Sequence, residues 1–332
     1  MKIFITGIAG FLGSHLADEF IRLGHEVSGI DNLIGGERSN VPSGAKLTIG
    51  NCLDHDLMLL LTKDVDVVYH CACTAYEGLS VFSPHFVTLN TYQITMSVLS
   101  AAIQNKVKRF VFCSSMARYG AQETPFHEDM TPMPQDPYGI AKYASELSIK
   151  NLCATHGIEW NIAVPHNIIG PRQKYDDPYR NVASIMINRM LQGQQPIIYG
   201  DGQQERCFSF VRDVVEPLVK LGVGDRWGEI VNVGPDEEFV TINELAKTIA
   251  ELLDFDLQPI YVPDRPQEVK RATCSSDKAR SLLGYRTTTT LREGLLGMIG
   301  YIKNRGVKEF DYHLPLEIVN ERTPKTWTQK II

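Results

Sequence analysis

The chain has 332 residues, 43% of them apolar and 22% charged, with a formal net charge of −6. That length suits one large or two modest domains with ample volume for a core, and the composition is that of a soluble globular protein. The acidic balance without a Lys/Arg run argues against nucleic-acid binding, and seven scattered cysteines with no CxxC pair argue against a disulfide framework or a metal site.

The N-terminus, "MKIFITG", runs straight into a strand pattern without signal-peptide architecture, and no apolar run is long enough to span a membrane. A cytoplasmic protein with no membrane partner is expected. Residues 2–6, 26–30, 46–49, 66–70 and 109–114 are continuous apolar or β-branched runs, the pattern of buried parallel strands. Helical patterns at 11–23, 90–105 and 137–156 alternate with them. This βαβ series predicts an α/β fold, a doubly wound parallel (Rossmann) sheet. Asp136 is the expected cap of the last helix, and Pro137 suits its first turn. Past residue 170 the text holds more Gly, Pro and charge, with helical patterns at 183–193, 241–253 and 288–303. The expected division is a dinucleotide-binding domain at 1–170 and a smaller α/β substrate domain at 171–305, some of whose segments return to the sheet. A tail at 306–332 is expected to pack on the surface or on a partner.

The stretch "TGIAGFLGSHLA" (6–17) places Gly7, Gly10 and Gly13, with Phe11 and Leu12 between them, directly after the first strand and at a helix start. The first glycine permits a tight turn, the second lets a pyrophosphate approach the backbone, and the third lets helix and strand pack closely. The helix N-terminus offers free N–H groups to phosphates. Asp31 ends the next strand, about 20 residues further on, where a carboxylate can hold ribose hydroxyls. It would repel a 2′-phosphate, and its neighbour Asn32 supplies no cation. NAD is the expected cofactor rather than NADP.

"DPYGIAKYASE" (136–146) sets Tyr138 and Lys142 four apart, on one side of a helix. An ammonium near a phenol favours the phenolate, and the oxidised nicotinamide of NAD would push the same way, so Lys142 and the cofactor are expected to lower the Tyr138 pKa and make it a base near neutral pH. Ser115 stands at the C-terminal end of the preceding strand, beside the crevice of such a sheet.

With these motifs the chain resembles the extended short-chain dehydrogenase/reductase family, and within it the NAD-dependent nucleotide-sugar epimerases and dehydratases such as the UDP-glucose 4-epimerases. The resemblance covers residues 1–305 and rests on "TGIAGFLGSHL", "DNLIGGERSN", "CSSMARYG", "DPYGIAKYASE", "HNIIGPRQ", "GDGQQERCFSFVRDV" and "RPQEV", in that order. It implies a catalytic triad of Ser115, Tyr138 and Lys142, with Lys142 also on the nicotinamide ribose. It places Asn51 and Cys52 at the adenine, and Cys71, Ala72 and Asn90 along the cofactor. Asn167, Arg206, Arg265 and Glu268 fall where the family grips the diphosphate and nucleoside, and Glu77 is a candidate for the sugar. A homodimer is also implied.

The relatives that eliminate water carry acids directly after the catalytic hydroxyl. Here that slot holds Met116 and Ala117, neither of which transfers a proton. The expected reaction is therefore epimerisation at C4 of a UDP-hexose or UDP-hexuronate through a 4-keto intermediate, for polysaccharide synthesis. Alternatives are a UDP- or GDP-sugar C4 oxidoreductase and a cofactor-sensing protein without activity. The His166–Asn167 pair resembles the GDP-mannose 3,5-epimerase branch, whose acid/base cysteine near position 117 is missing here.

Overall fold

The five expected strands form the heart of a seven-stranded sheet in a computed structural model that describes residues 1–266 and 269–332. They are β1 (Lys2–Thr6), β2 (Glu26–Asp31), β3 (Ala45–Ile49), β4 (Val67–His70) and β5 (Arg109–Cys113). Sequence reading missed β6 (Glu159–Pro165) and the edge strand Glu229–Val233. Across the sheet the order is Glu229–Val233, β6, β5, β4, β1, β2, β3, every pair parallel. Successive side chains alternate between faces. Phe4, Val68, Phe110 and Phe112 enter one core, and Ile3, Ile5, Val67 and Val111 enter the other. Apolar residues at both parities are what a sheet covered by helices on both sides requires.

Strand order reverses between β1 and β4, which opens a crevice at their carboxyl ends. The helix Phe11–Arg22 follows β1 across this crevice. Helix Pro137–His156 has its expected bounds, because local chemistry sets both ends. Asp136 Oδ1 accepts from Gly139 N at 2.9 Å, and Gly157 stops the helix at φ 71°. The pattern at 90–105 is not one helix. Pro84–Thr88 and Ile94–Gln104 flank a widened turn, Leu89–Gln93, in which Asn90 leaves helical geometry. Its carbonyl accepts instead from Thr74 N, at 3.2 Å, and so ties this turn to the segment after β4.

Beyond β6, helices Val182–Leu191, Ile242–Leu253 and Leu291–Arg305 enclose a third apolar cluster. Sequence reading missed helix Val211–Val223, which packs on Phe11–Arg22. The tail packs on this chain itself. Trp327 is 2% exposed and meets Phe82 and Tyr179 edge-on. The Glu317 carboxylate accepts from the backbone N–H groups of His85 and Phe86 at 3.0 and 2.9 Å. The tail therefore covers a fourth apolar cluster beside the segment 76–86.

Candidate active site

The carboxyl ends of the strands open into one cleft of ≈ 540 Å³. Gly7 turns the chain after β1 at φ 73°, a conformation L side chains rarely adopt, and a Cβ there would stand 3.0 Å from the Ala72 backbone. A Cβ on Gly13 would lie 2.2 Å from Gly7 O, so only glycine lets the helix pack this closely on the turn. Gly10 is the N-cap, and Phe11 and Leu12 open the helix toward the cleft. Gly36, which sequence reading passed over, also packs against backbone: a Cβ there would meet Ala9 C at 2.6 Å.

Asp31 ends β2 with its carboxylate accepting from Ala9 N at 2.9 Å and Leu33 N at 2.8 Å. Burial pushes its pKa up, and those backbone N–H groups oppose the rise. An ionised carboxylate has about four lone-pair sites, so acceptor capacity remains for a ribose. Asn32 and Asn51 line the cleft and stiffen their own turns, accepting from Ile34 N at 3.1 Å and Leu53 N at 3.0 Å. Burial pushes the neighbouring Cys52 thiol up to about 12, leaving it a small apolar wall. Cys71, Ala72 and Asn90 line the same cleft. A glycine turn that excludes a Cβ, a helix N-terminus and a half-used carboxylate together fit a dinucleotide.

Ser115 follows β5, and its hydroxyl accepts from Ala117 N at 3.2 Å. The same side chain acts on the Tyr138 phenol and favours its ionised form. Lys142, 1% exposed, donates from Nζ to Cys113 O at 2.6 Å and lies 5.9 Å from the Tyr138 ring centroid. One expectation is corrected here. Burial pushes the Tyr138 pKa well above its ordinary value, and nearby Cys73 and Glu77 push the same way. The Ser115 side chain and the Arg180 charge oppose the rise.

The loops after β6 complete the far side of the cleft. Asn167 takes φ 44° and donates from Nδ2 to Cys207 O at 3.0 Å. Arg206 donates to Glu205 O at 2.8 Å, and Arg265 lies over the Tyr199 ring at 4.7 Å. Glu77 begins a short helix at the cleft wall. Glu268 lies outside the described residues. His166 is buried against Pro235 O at 2.8 Å, and burial lowers its pKa, so it is a neutral packing residue. Met116 and Ala117 both face the cleft.

Sequence reading missed Arg180. Its Nη1 donates to Ala75 O at 3.1 Å, and its guanidinium lies over Tyr76 at 5.2 Å. Asp177, 1% exposed, accepts from Tyr76 OH at 2.5 Å and so braces the same wall. "DDPYR" carries no motif, and the Arg180–Ala75 contact spans 105 residues, so no local signal could have found it.

Comparison with known proteins agrees with this geometry. Residues 3–234 match the NAD dependent epimerase/dehydratase family. A UDP-glucose 4-epimerase of Mycolicibacterium smegmatis is 30% identical, over 92% of this chain and 99% of its own. A UDP-N-acetyl-alpha-D-glucosaminuronate decarboxylase of Bacillus cytotoxicus is 34% identical, over 79% and 83%. The UDP-glucuronic acid 4-epimerase of Bacillus cereus, solved with UDP-glucuronic acid and NAD, superposes with a TM-score of 0.85 at 29% identity, over 92% of this chain and 100% of that one. With its glycine turn, its acidic β2 end and its Ser–Tyr–Lys set on one cleft, the chain belongs to the NAD dependent epimerase/dehydratase family and takes NAD as its cofactor.

Proposed function

We propose that this enzyme epimerises a UDP-hexose or UDP-hexuronate at C4 through a 4-keto intermediate. The observation that carries the reading is a complete Ser115–Tyr138–Lys142 set whose neighbours in the cleft, Met116 and Ala117, hold no transferable proton. Bound NAD supplies the hydride acceptor and, later, the donor. Tyr138 takes the C4 hydroxyl proton and returns it after the keto-sugar has turned over. Ser115 holds the same sugar oxygen and steadies the Tyr138 oxygen. Lys142, anchored on the Cys113 carbonyl, orients the nicotinamide ribose. Gly7, Gly10, Gly13 and Asp31 seat the pyrophosphate and the adenosine ribose. Asn51, Cys52, Cys71, Ala72 and Asn90 shape the rest of that channel. Arg206 and Arg265 grip the diphosphate, for which guanidinium groups are well shaped, and Asn167 positions it. Glu77 meets the sugar.

Arg180 favours the hexuronate within this reading, since it lines the cleft together with Tyr138 and a guanidinium is well shaped for a sugar carboxylate. The decarboxylase relative makes loss of carbon dioxide from the 4-keto acid the second reading. That path must protonate C5, and the slot directly after Ser115 holds Met116 and Ala117, neither of which carries a proton for it, so Glu77 would have to supply it. The test is incubation with UDP-glucose and UDP-glucuronate, with NAD in catalytic amount, in deuterated water. We expect a product of equal mass, inverted at C4 and free of deuterium at C5. A product lighter by one carbon dioxide would install the decarboxylase, and stoichiometric NADH would install an oxidoreductase. Cofactor binding with no turnover of either sugar would leave a sensor.

Helix Pro137–His156 carries Ile140 and Leu147, 53% and 50% exposed, with Tyr143 between them on the same face. The reading places a homodimer on this stripe, in a cytoplasm that keeps the seven free thiols reduced. Sedimentation should show a dimer that Leu147→Asp dissociates, and a monomeric wild type would remove this part of the proposal.

A further inference from the structure

Four of the seven cysteines, Cys52, Cys71, Cys73 and Cys113, line the cofactor cleft. Two of them form a pair. β4 and β5 run parallel with His70 opposite Phe112, so Cys113, the last residue of β5, stands beside Cys71, the residue that follows β4. Their sulfurs are 3.5 Å apart. Neighbouring strands lie about 4.8 Å apart, within the Cα spacing of about 4.4–6.8 Å that a disulfide spans. We propose that Cys71 and Cys113 are a reversible oxidation site, closed to a disulfide by peroxide when the cleft holds no NAD, and that the disulfide weakens cofactor binding.

The local charges select the attacking sulfur. The bond from Cys71 and the Lys142 charge hold the Cys113 thiol below its ordinary value against burial, while the same bond and burial push Cys71 up. The Cys113 thiolate attacks a peroxide oxygen, the O–O bond breaks, and the departing hydroxide takes the Cys71 proton to leave as water. The Cys71 sulfur then attacks the resulting Cys113 sulfenic sulfur, the S–O bond breaks, and that oxygen leaves as a second water after taking up the remaining proton. Two thiols are oxidised and one peroxide is reduced.

The bond would act on the cofactor through both its ends. The Cys71–Ala72 backbone is what the Gly7 turn packs against, with Ala72 N and Cα 3.0 Å and Cys71 C 3.3 Å from the position of a Gly7 Cβ. The Cys113 carbonyl anchors Lys142. Drawing the two sulfurs to bonding distance shifts the wall of the glycine turn and the anchor of the lysine together. Bound cofactor would shield the pair, since both residues line the space it fills.

The test uses the full reduced protein, hydrogen peroxide, and NAD at saturation or absent. Without NAD we expect a mass loss of about 2 Da, two fewer free thiols than the seven at the start, and a peptide joining Cys71 to Cys113. Calorimetry should show NAD affinity falling by about tenfold or more, and dithiothreitol should restore it. With NAD present the disulfide should form much more slowly. In Cys71→Ala and Cys113→Ala, peroxide should leave each variant's own NAD affinity where it was before treatment. A wild type that keeps seven thiols, pairs other cysteines, or binds NAD equally well after oxidation would overturn the proposal. These wild-type measurements decide it even if a variant fails to fold, and they do not depend on which sugar nucleotide reacts.

Discussion

Tyr138→Phe should lower turnover by about 10²–10⁴ while leaving the fold and NAD binding in place, since a positioned acid–base group is worth that much. The substitution keeps the ring that fills this 5%-exposed site and removes only the titrating oxygen. The pH profile sharpens the test. Burial pushes the Tyr138 phenol well above its ordinary value, so in the free enzyme the basic form grows as pH rises. The ratio kcat/KM reports groups of the free enzyme, so for wild type it should climb toward alkaline pH. The residual rate of Tyr138→Phe should lose that climb. Turnover within tenfold of wild type, or an unchanged alkaline limb, would move the base to another residue.

Glu146→Ala should destabilise the protein by about 3–5 kcal/mol, the cost of leaving one partner of a buried ion pair alone. Glu146 and Arg118 are 0% and 2% exposed in their side chains, with Nη2 and Oε2 2.9 Å apart. Urea unfolding read by circular dichroism measures the loss. The pair also lies under the site: Glu146 accepts from the Ser114 hydroxyl, next to Ser115, and Arg118 belongs to the turn that carries Met116 and Ala117. Removing the carboxylate should therefore reduce kcat as well. The double variant Arg118→Met/Glu146→Leu should recover most of the stability, because two apolar side chains of similar volume carry no stranded charge. A single-variant loss below about 1 kcal/mol would show that the site is open to water and the pair unimportant.

What the sequence determined by itself is what neighbouring residues settle among themselves. The turn "TGIAGFLG" needs glycine at Gly7 for its φ of 73° and at Gly13 for its packing on Gly7 O. Asp31 ends its strand at a fixed distance from that turn. Asp136 and Pro137 start a helix, and the four-residue step sets Tyr138 and Lys142 on one side of it. Each is a rule of strand, turn or helix that operates within a few residues. The single helix expected at 90–105 failed by the same logic, since the break at Asn90 answers to Thr74, which lies outside the window.

Only the tertiary structure decided how those groups behave. The spacing of Tyr138 and Lys142 is local, but the direction of the Tyr138 pKa is not. Burial under distant segments pushes it up. Arg180 reaches Ala75 O across 105 residues, and Cys71 reaches Cys113 across 42 because two strands pair in one register. His166, beside Asn167 in sequence, turns away to a buried carbonyl. The tail supplies Trp327 to an apolar cluster that its own composition does not announce. Desolvation and long-range contact depend on which surfaces are covered, and a linear sequence states that only through the fold.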